Sequence, residues 1–262
     1  MSARVRVPYH MARLTAWVPP LALAAPLVDL IVRAETKALE VVIPELRRDD
    51  LDDALRSLGE VGRTLLRWMG NDAIHSVVTD MGETTRSRSD AHWRREVSGA
   101  LGETVALETG MTREMTQLWI AENTARIEGL RDETLRRMRV DIEAAALAGT
   151  SPDTLAAKWV RDGLPTRNGN LRGRANVIAR DQLGKLAGQT AEQQQRALGL
   201  VEYMWDDRPA VPRNQRAVHR GRRGARYRWD GAPPGGHPGN AIMCGCRAVA
   251  TVPVAQLRAA FT

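Results

Sequence analysis

The sequence predicts a mainly α protein, a helical body followed by a small C-terminal α+β module of short antiparallel strands and Gly/Pro-rich loops. Three observations carry this. The apolar residues, 43% of the chain, are mostly Ala, Leu and Val, with one Phe and three Tyr, which favours helix packing over an aromatic-rich sandwich. As far as Gly199 the apolar positions recur at helical spacing between Gly and Pro stops, and after it they alternate with period two. The expected organisation is a basic extended arm over 1–26, a helical body over 27–199 with an internal linker near 163–173, and an Arg-rich, β-containing module over 200–262.

Along the body, a first helix is expected over Leu27 to Leu39, with a break at Pro44. A second runs from Asp49 to Met69, where Leu51, Leu55, Leu58, Leu65 and Leu66 approximate one face and Gly70-Asn71 ends it. Over 71–112, Gly82, Gly99, Gly102 and Gly110 predict short pieces, and MGETTRSRSD reads as a polar connection. The strongest helix is 113–148, whose stripe of Ile127, Leu130, Thr134, Met138 and Ile142 recurs at helical spacing until Gly149 closes it. Ser151 as N-cap, Pro152 at the first helical position and Asp153 beside it start another helix. GLPTRNGNLRG reads as the linker, and RANVIARDQLGKLAGQTAEQQQRAL as a last helix. Beyond Gly199, VEYMW, RYRW and RAVATV are three short strands, too few to bury much core without a staple or a docking surface.

The formal charge is +7, and its distribution says more than its total. Between Trp205 and Arg247 lie nine Arg, no Lys and three Asp. Guanidinium forks suit phosphate or carboxylate, so Arg208, Arg213, Arg216, Arg220, Arg222, Arg223, Arg226 and Arg228 are the expected contacts to nucleic acid or a protein partner; a solvated charged loop is the plainer reading. The N-terminal stretch carries Arg and no acid before Asp29, which outlines a signal peptide, but Pro19, Pro20 and Pro26 interrupt its apolar run; an arm docking on a partner is the preferred reading. No run of apolar residues reaches the length that spans a bilayer, and no membrane partner is expected. There is no P-loop, dinucleotide fingerprint or paired-carboxylate signature, and His10, His75 and His92 stand alone.

GGHPGNAIMCGC, 235–246, holds both cysteines of the chain. A structural zinc would draw on Cys244, Cys246, His237 and His219, ligand types that tetrahedral zinc prefers, although C-x-C is shorter than the usual C-x2-C. A Cys244–Cys246 disulfide would close a very small ring at poor geometry. A nucleophilic cysteine activated by His219 or His237 has no orienting partner or oxyanion motif in the sequence. A tight loop with small, semi-buried thiols is the plainest reading.

RANVIARDQ, Trp205, Asp207-Arg208, RNQRAVHRG, Trp229-Asp230, PPGGHPG and CGCRAV, taken in order, resemble the C-terminal signature of the phage head morphogenesis family, the minor head proteins of the Mu protein F type. Asn123, the 113–148 helix and the GTSPD turn extend the likeness over roughly 110–252. The resemblance implies a non-enzymatic virion protein inside the phage head near the portal, and in the host cytoplasm during assembly. It would act in head morphogenesis and in packaging or delivery of the genome, with the portal protein, the major capsid protein and phage DNA as partners. Two positions depart from the family pattern: Gln215 stands where an ungapped reading expects histidine, and Gly245 where arginine often separates the cysteines. The first departure makes His219 the weaker metal ligand and favours Cys244, Cys246 and His237. The alternative is a metal-dependent nuclease or toxin-like enzyme using the C-terminal His/Cys cluster; such activities sit in appended domains, for which little sequence remains after RAVATVP.

Overall fold

The computed structural model describes residues 11–47, 51–106, 113–167, 169–207 and 216–261. Its helices are α1 (Ala25–Arg47), α2 (Leu51–Trp68), α3 (Asn71–Leu101), α4 (Arg113–Ala148), α5 (Pro152–Asp162), α6 (Leu171–Ala197), and the short α7 (Ala217–Gly221) and α8 (Val254–Ala259). The strands are β1 (Met11–Thr15), β2 (Pro165–Thr166), β3 (Gly169–Asn170), β4 (Glu202–Asp206), β5 (Arg226–Arg228) and β6 (Arg247–Pro253). The chain is mainly α with a small antiparallel sheet, as its patterning predicts.

The described residues form two compact units. One draws on Leu21–Met81 and Leu118–Arg180, the other on Met1–Pro20, Gly82–Gln117 and Asp181–Thr262, so the division falls within α3, α4 and α6.

In the all-helical unit, α1 packs against α2 and α5. Leu27, Leu30, Ile31, Ala34, Ala38, Val42 and Leu46 give α1 its buried stripe, and the helix continues through Pro44 to Arg47 rather than breaking. Pro44 lies on the exposed side, where water can take the carbonyl that the missing N–H leaves unbonded. On α2 the buried residues are Ala54, Leu58, Val61, Leu65 and Met69, spaced 4, 3, 4 and 4. Leu66, expected on that face, is 50% exposed, because a residue one step from Leu65 points about 100° away. The predicted stripe of α4 holds: Ile127, Leu130, Thr134, Met138 and Ile142 are all buried. Gly149, at φ 62°, ends that helix, and the Thr150 N–H reaches back to the Ala145 carbonyl at 2.9 Å. The Ser151 hydroxyl then accepts from the Thr154 N–H at 3.3 Å, so α5 starts where its capping residues predict. The expected linker is shorter than its composition suggests, since β2 and β3 make a small hairpin and α6 already begins at Leu171.

One buried carboxylate ties this unit together. Glu35 of α1 accepts the Leu164 N–H at 2.8 Å and lies 3.2 Å from the Arg172 guanidinium.

In the second unit the sheet order is β1-β6-β4-β5, antiparallel throughout. The three expected strands are present, with a fourth that was not expected. Of the stretch read as an arm, residues 1–10 lie outside the described residues, and Met11–Thr15 pairs with β6, Met11 opposite Pro253. Ala12 and Leu14 of β1 join Ala250 and Val252 of β6, Trp93, Val97 and Leu101 of α3, and Leu257 of α8 in one cluster.

The short pieces expected over 71–112 are instead one continuous helix to Leu101. Its buried stripe is Ile74, Val78, Met81, Thr85, Ser89, Trp93, Val97 and Leu101, regular at three and four residues but with two hydroxyl side chains in its middle. Gly102, at φ 72°, is the glycine that stops it.

Candidate functional site

The connections β4–β5 and β5–β6 meet at the sheet, each bringing one part of a side-chain cluster. His219 sits on α7 within the first, and Cys244 and Cys246 lie at the end of the second. His219 Nδ1 is 3.6 Å from Cys244 Sγ and 3.4 Å from Cys246 Sγ, and the three donor atoms lie within 4.8 Å of one another. His219 is buried and the thiols half-buried. Among the described residues this is the one His/Cys/Asp/Glu group compact enough to share an ion.

Local chemistry explains why both connections arrive there. Trp205 of β4 is buried, with the His219 ring edge-on to it at 5.3 Å and the Arg222 guanidinium 5.0 Å from its centroid. Arg222 also donates to the Pro234 carbonyl at 2.5 Å, which joins the first connection to the second. The thiol loop is anchored on α6. Asp181 accepts the Met243 N–H at 3.0 Å, and Met243, at φ 56°, takes the left-handed conformation that turns the chain into Cys244. Gly184 and Gly188, one turn apart on α6, leave room for the loop backbone: a methyl group at 188 would stand 2.5 Å from the Pro238 carbonyl oxygen.

The two thiols are shifted in opposite directions. The hydrogen bond from Cys246 lowers Cys244 to about 5 against the opposing effect of burial, and the same bond, with burial, pushes Cys246 up. Two sulfurs and an imidazole nitrogen are donor types that suit zinc.

His237 is placed elsewhere. Its Nδ1 is 2.9 Å from the Tyr203 hydroxyl, and its ring stacks among Tyr203 at 5.6 Å and Trp229 at 5.0 Å. Burial pushes the Tyr203 hydroxyl well above its ordinary pKa, so it remains a donor there. The Trp229 N–H donates to Gln195 at 3.1 Å, and Arg196 donates to the Trp229 carbonyl at 2.7 Å. The geometry therefore reverses the ranking drawn from the departure at Gln215: His219, not His237, stands with the cysteines.

Of the expected contact arginines, Arg208 and Arg213 lie outside the described residues. Arg222 is 8% exposed and belongs to the module's interior. Arg216, Arg220, Arg223, Arg226 and Arg228 are exposed. Arg223 lies 3.3 Å from the buried Asp207, Arg228 grips Asp230 with two hydrogen bonds at 2.9 and 2.7 Å, and Arg216 donates to the Ile242 carbonyl at 3.1 Å. Arg220 and Arg226 have no hydrogen-bond or ion-pair partner among the described residues. No described helix is long and apolar enough to cross a membrane.

Trp205, His219, Arg222 and the C-x-C loop, which hold the small sheet together, all fall within the stretch that a family model matches. The chain is a member of the family described as Phage Mu protein F like protein, whose model matches residues 106–249, more than half of its length; these are minor head proteins of head morphogenesis, a structural family of the virion. No curated protein and no solved structure matches the chain. Of the residues that seat the cysteine loop, Asp181 lies within the quoted stretch RANVIARDQ, whereas Gly184 and Gly188 carry no ligand or charge signal that would single them out in the sequence. The i, i+4 glycine pair on an otherwise helical stretch is the trace they leave there.

Proposed function

We propose that this chain is a non-enzymatic minor head protein that associates with the portal and the major capsid protein and meets the packaged genome through its C-terminal module, acting in packaging or delivery of DNA. The observation that carries the DNA contact is the set of exposed guanidinium groups within the family-matched segment, of which Arg220 and Arg226 have no acidic partner among the described residues and Arg216 is held only by a neutral carbonyl. A guanidinium bound to a carboxylate is already neutralised; these three are available to phosphate.

Each phosphate neutralised on duplex DNA contributes about 0.9 to the slope of log K against log salt. Replacing Arg216, Arg220 and Arg226 together by Gln is expected to flatten that slope by roughly 2.7. Fluorescence anisotropy with a duplex of arbitrary sequence, over a series of salt concentrations, reads this directly. An unchanged slope removes the DNA contact from the proposal. Co-purification with the co-expressed portal protein tests the other half. Cleavage of plasmid DNA by the purified chain with added divalent metal, abolished by His219→Ala, would replace the structural reading by the nuclease alternative.

A further inference from the structure

We propose that His219, Cys244 and Cys246 bind a zinc ion that staples the β4–β5 connection to the β5–β6 connection. The argument is geometric. Zinc bonds of about 2.3 Å to sulfur and about 2.05 Å to nitrogen, at tetrahedral angles, place ligand sulfur and nitrogen about 3.6 Å apart. The His219 nitrogen lies 3.6 and 3.4 Å from the two sulfurs. One ring nitrogen carries a single proton or a single lone pair, so one linear hydrogen bond accounts for only one of the two sulfur contacts. Three soft donors converging from two separate connections, all within 4.8 Å, instead surround a common centre.

The surroundings hold the donors in place before an ion arrives. Trp205 packs edge-on against the His219 ring, Arg222 links α7 to Pro234, and Asp181 with the α6 glycines fixes the turn into Cys244. Binding needs both sulfurs as thiolates and His219 neutral, so zinc displaces the protons still held by the thiols to solvent. The three residues supply three of the four tetrahedral positions. The ion joins residues 219 and 244 across the edge of a sheet whose β5 is three residues long, where a small module gains most from a cross-link. His237, held by Tyr203 and Trp229, takes no part.

The test uses the full chain, purified under reducing conditions without chelator. Elemental analysis is expected to give close to one zinc per chain, and cobalt titrated into the reduced, metal-free protein is expected to give the intense visible bands of a tetrahedral thiolate site. His219→Ala and Cys246→Ser should each lower the bound zinc at least tenfold, whereas His237→Ala should retain it. Cobalt titration of the unaltered chain keeps the test valid if the variants fold poorly. Less than a tenth of an equivalent of zinc together with no cobalt–thiolate absorption overturns the proposal. So does full metal content in His219→Ala.

Discussion

Two glycines on one face of α6 make opposite predictions for the same substitution. A Cβ at Gly188 would lie 2.5 Å from the Pro238 carbonyl oxygen and 3.3 Å from the Gly239 Cα, both backbone atoms. That oxygen is about 1 Å inside ordinary packing distance, and it cannot swing away as a side-chain tip would. Nor can the loop yield at Gly239, whose φ is 92° and whose own Cα hydrogen faces the Gly184 carbonyl. Overpacking of this kind costs about 1–3 kcal/mol. The gain in helix propensity from Gly to Ala offsets roughly 1 kcal/mol of it. Gly188→Ala is therefore expected to destabilise the chain by up to about 2 kcal/mol. At Gly184 the nearest atom to a new Cβ is the Cys244 carbonyl oxygen at 3.4 Å, an ordinary contact, so the propensity term dominates and Gly184→Ala should be neutral or stabilising by up to about 1 kcal/mol. Denaturant unfolding followed by tryptophan fluorescence reads both, since Trp205 and Trp229 are buried in the sheet that the loop covers. If Gly188→Ala proves as stable as Gly184→Ala, the loop does not lie against α6 as described.

The helical unit and the α3 helix offer two further checks. Glu35→Ala leaves the buried Leu164 N–H without its acceptor and should cost about 1–3 kcal/mol, while Glu35→Gln, which keeps an acceptor, should cost less; equal losses would mean that the Arg172 ion pair matters more than the backbone bond. Asp90, which accepts from Gln194 at 3.0 Å, has its carboxyl raised above the usual value by burial. A raised folded-state value means that its contribution to stability is present in acid and lost as pH rises through that value. Asp90→Asn should then leave the unfolding midpoint near neutral pH unchanged or higher and lower it relative to the parent chain in acid. A midpoint that falls more at neutral pH than in acid reverses this assignment.

Capping and stripe residues made α4 and α5 readable in the sequence, because Gly149, Ser151 and Pro152 act within a few positions of the turn they enforce. The middle of α3 was not readable, for a physical reason. Thr85 and Ser89 occupy buried positions there, and Ser89 lies within hydrogen-bonding reach of the Gln194 side chain at 3.4 Å, a partner more than a hundred residues away. A buried hydroxyl with such a partner looks like a polar linker when only neighbours in sequence are compared. The same applies to β1, whose period-two pattern is short and whose partner is β6. At the candidate site, the preference for His237 rested on Gln215 standing where the family pattern has histidine. The fold instead routes His237 to Tyr203 and brings His219 across from α7. The arginine cluster was readable as charge, but not its division into the interior Arg222, the acid-paired Arg223 and Arg228, and Arg220 and Arg226, which have no acidic partner among the described residues.

The pairing of β1 with β6 sets an order of events during synthesis. Met11 lies opposite Pro253, so β1 is synthesised well over two hundred residues before the strand it pairs with. At about 5–20 residues per second that interval is roughly 12–48 s. The helical unit, built from Leu21–Met81 and Leu118–Arg180, emerges complete well before then. Ala12 and Leu14 remain without the partners that cover them until β6 has been synthesised, which leaves this strand open to wrong pairing with another nascent chain during that interval.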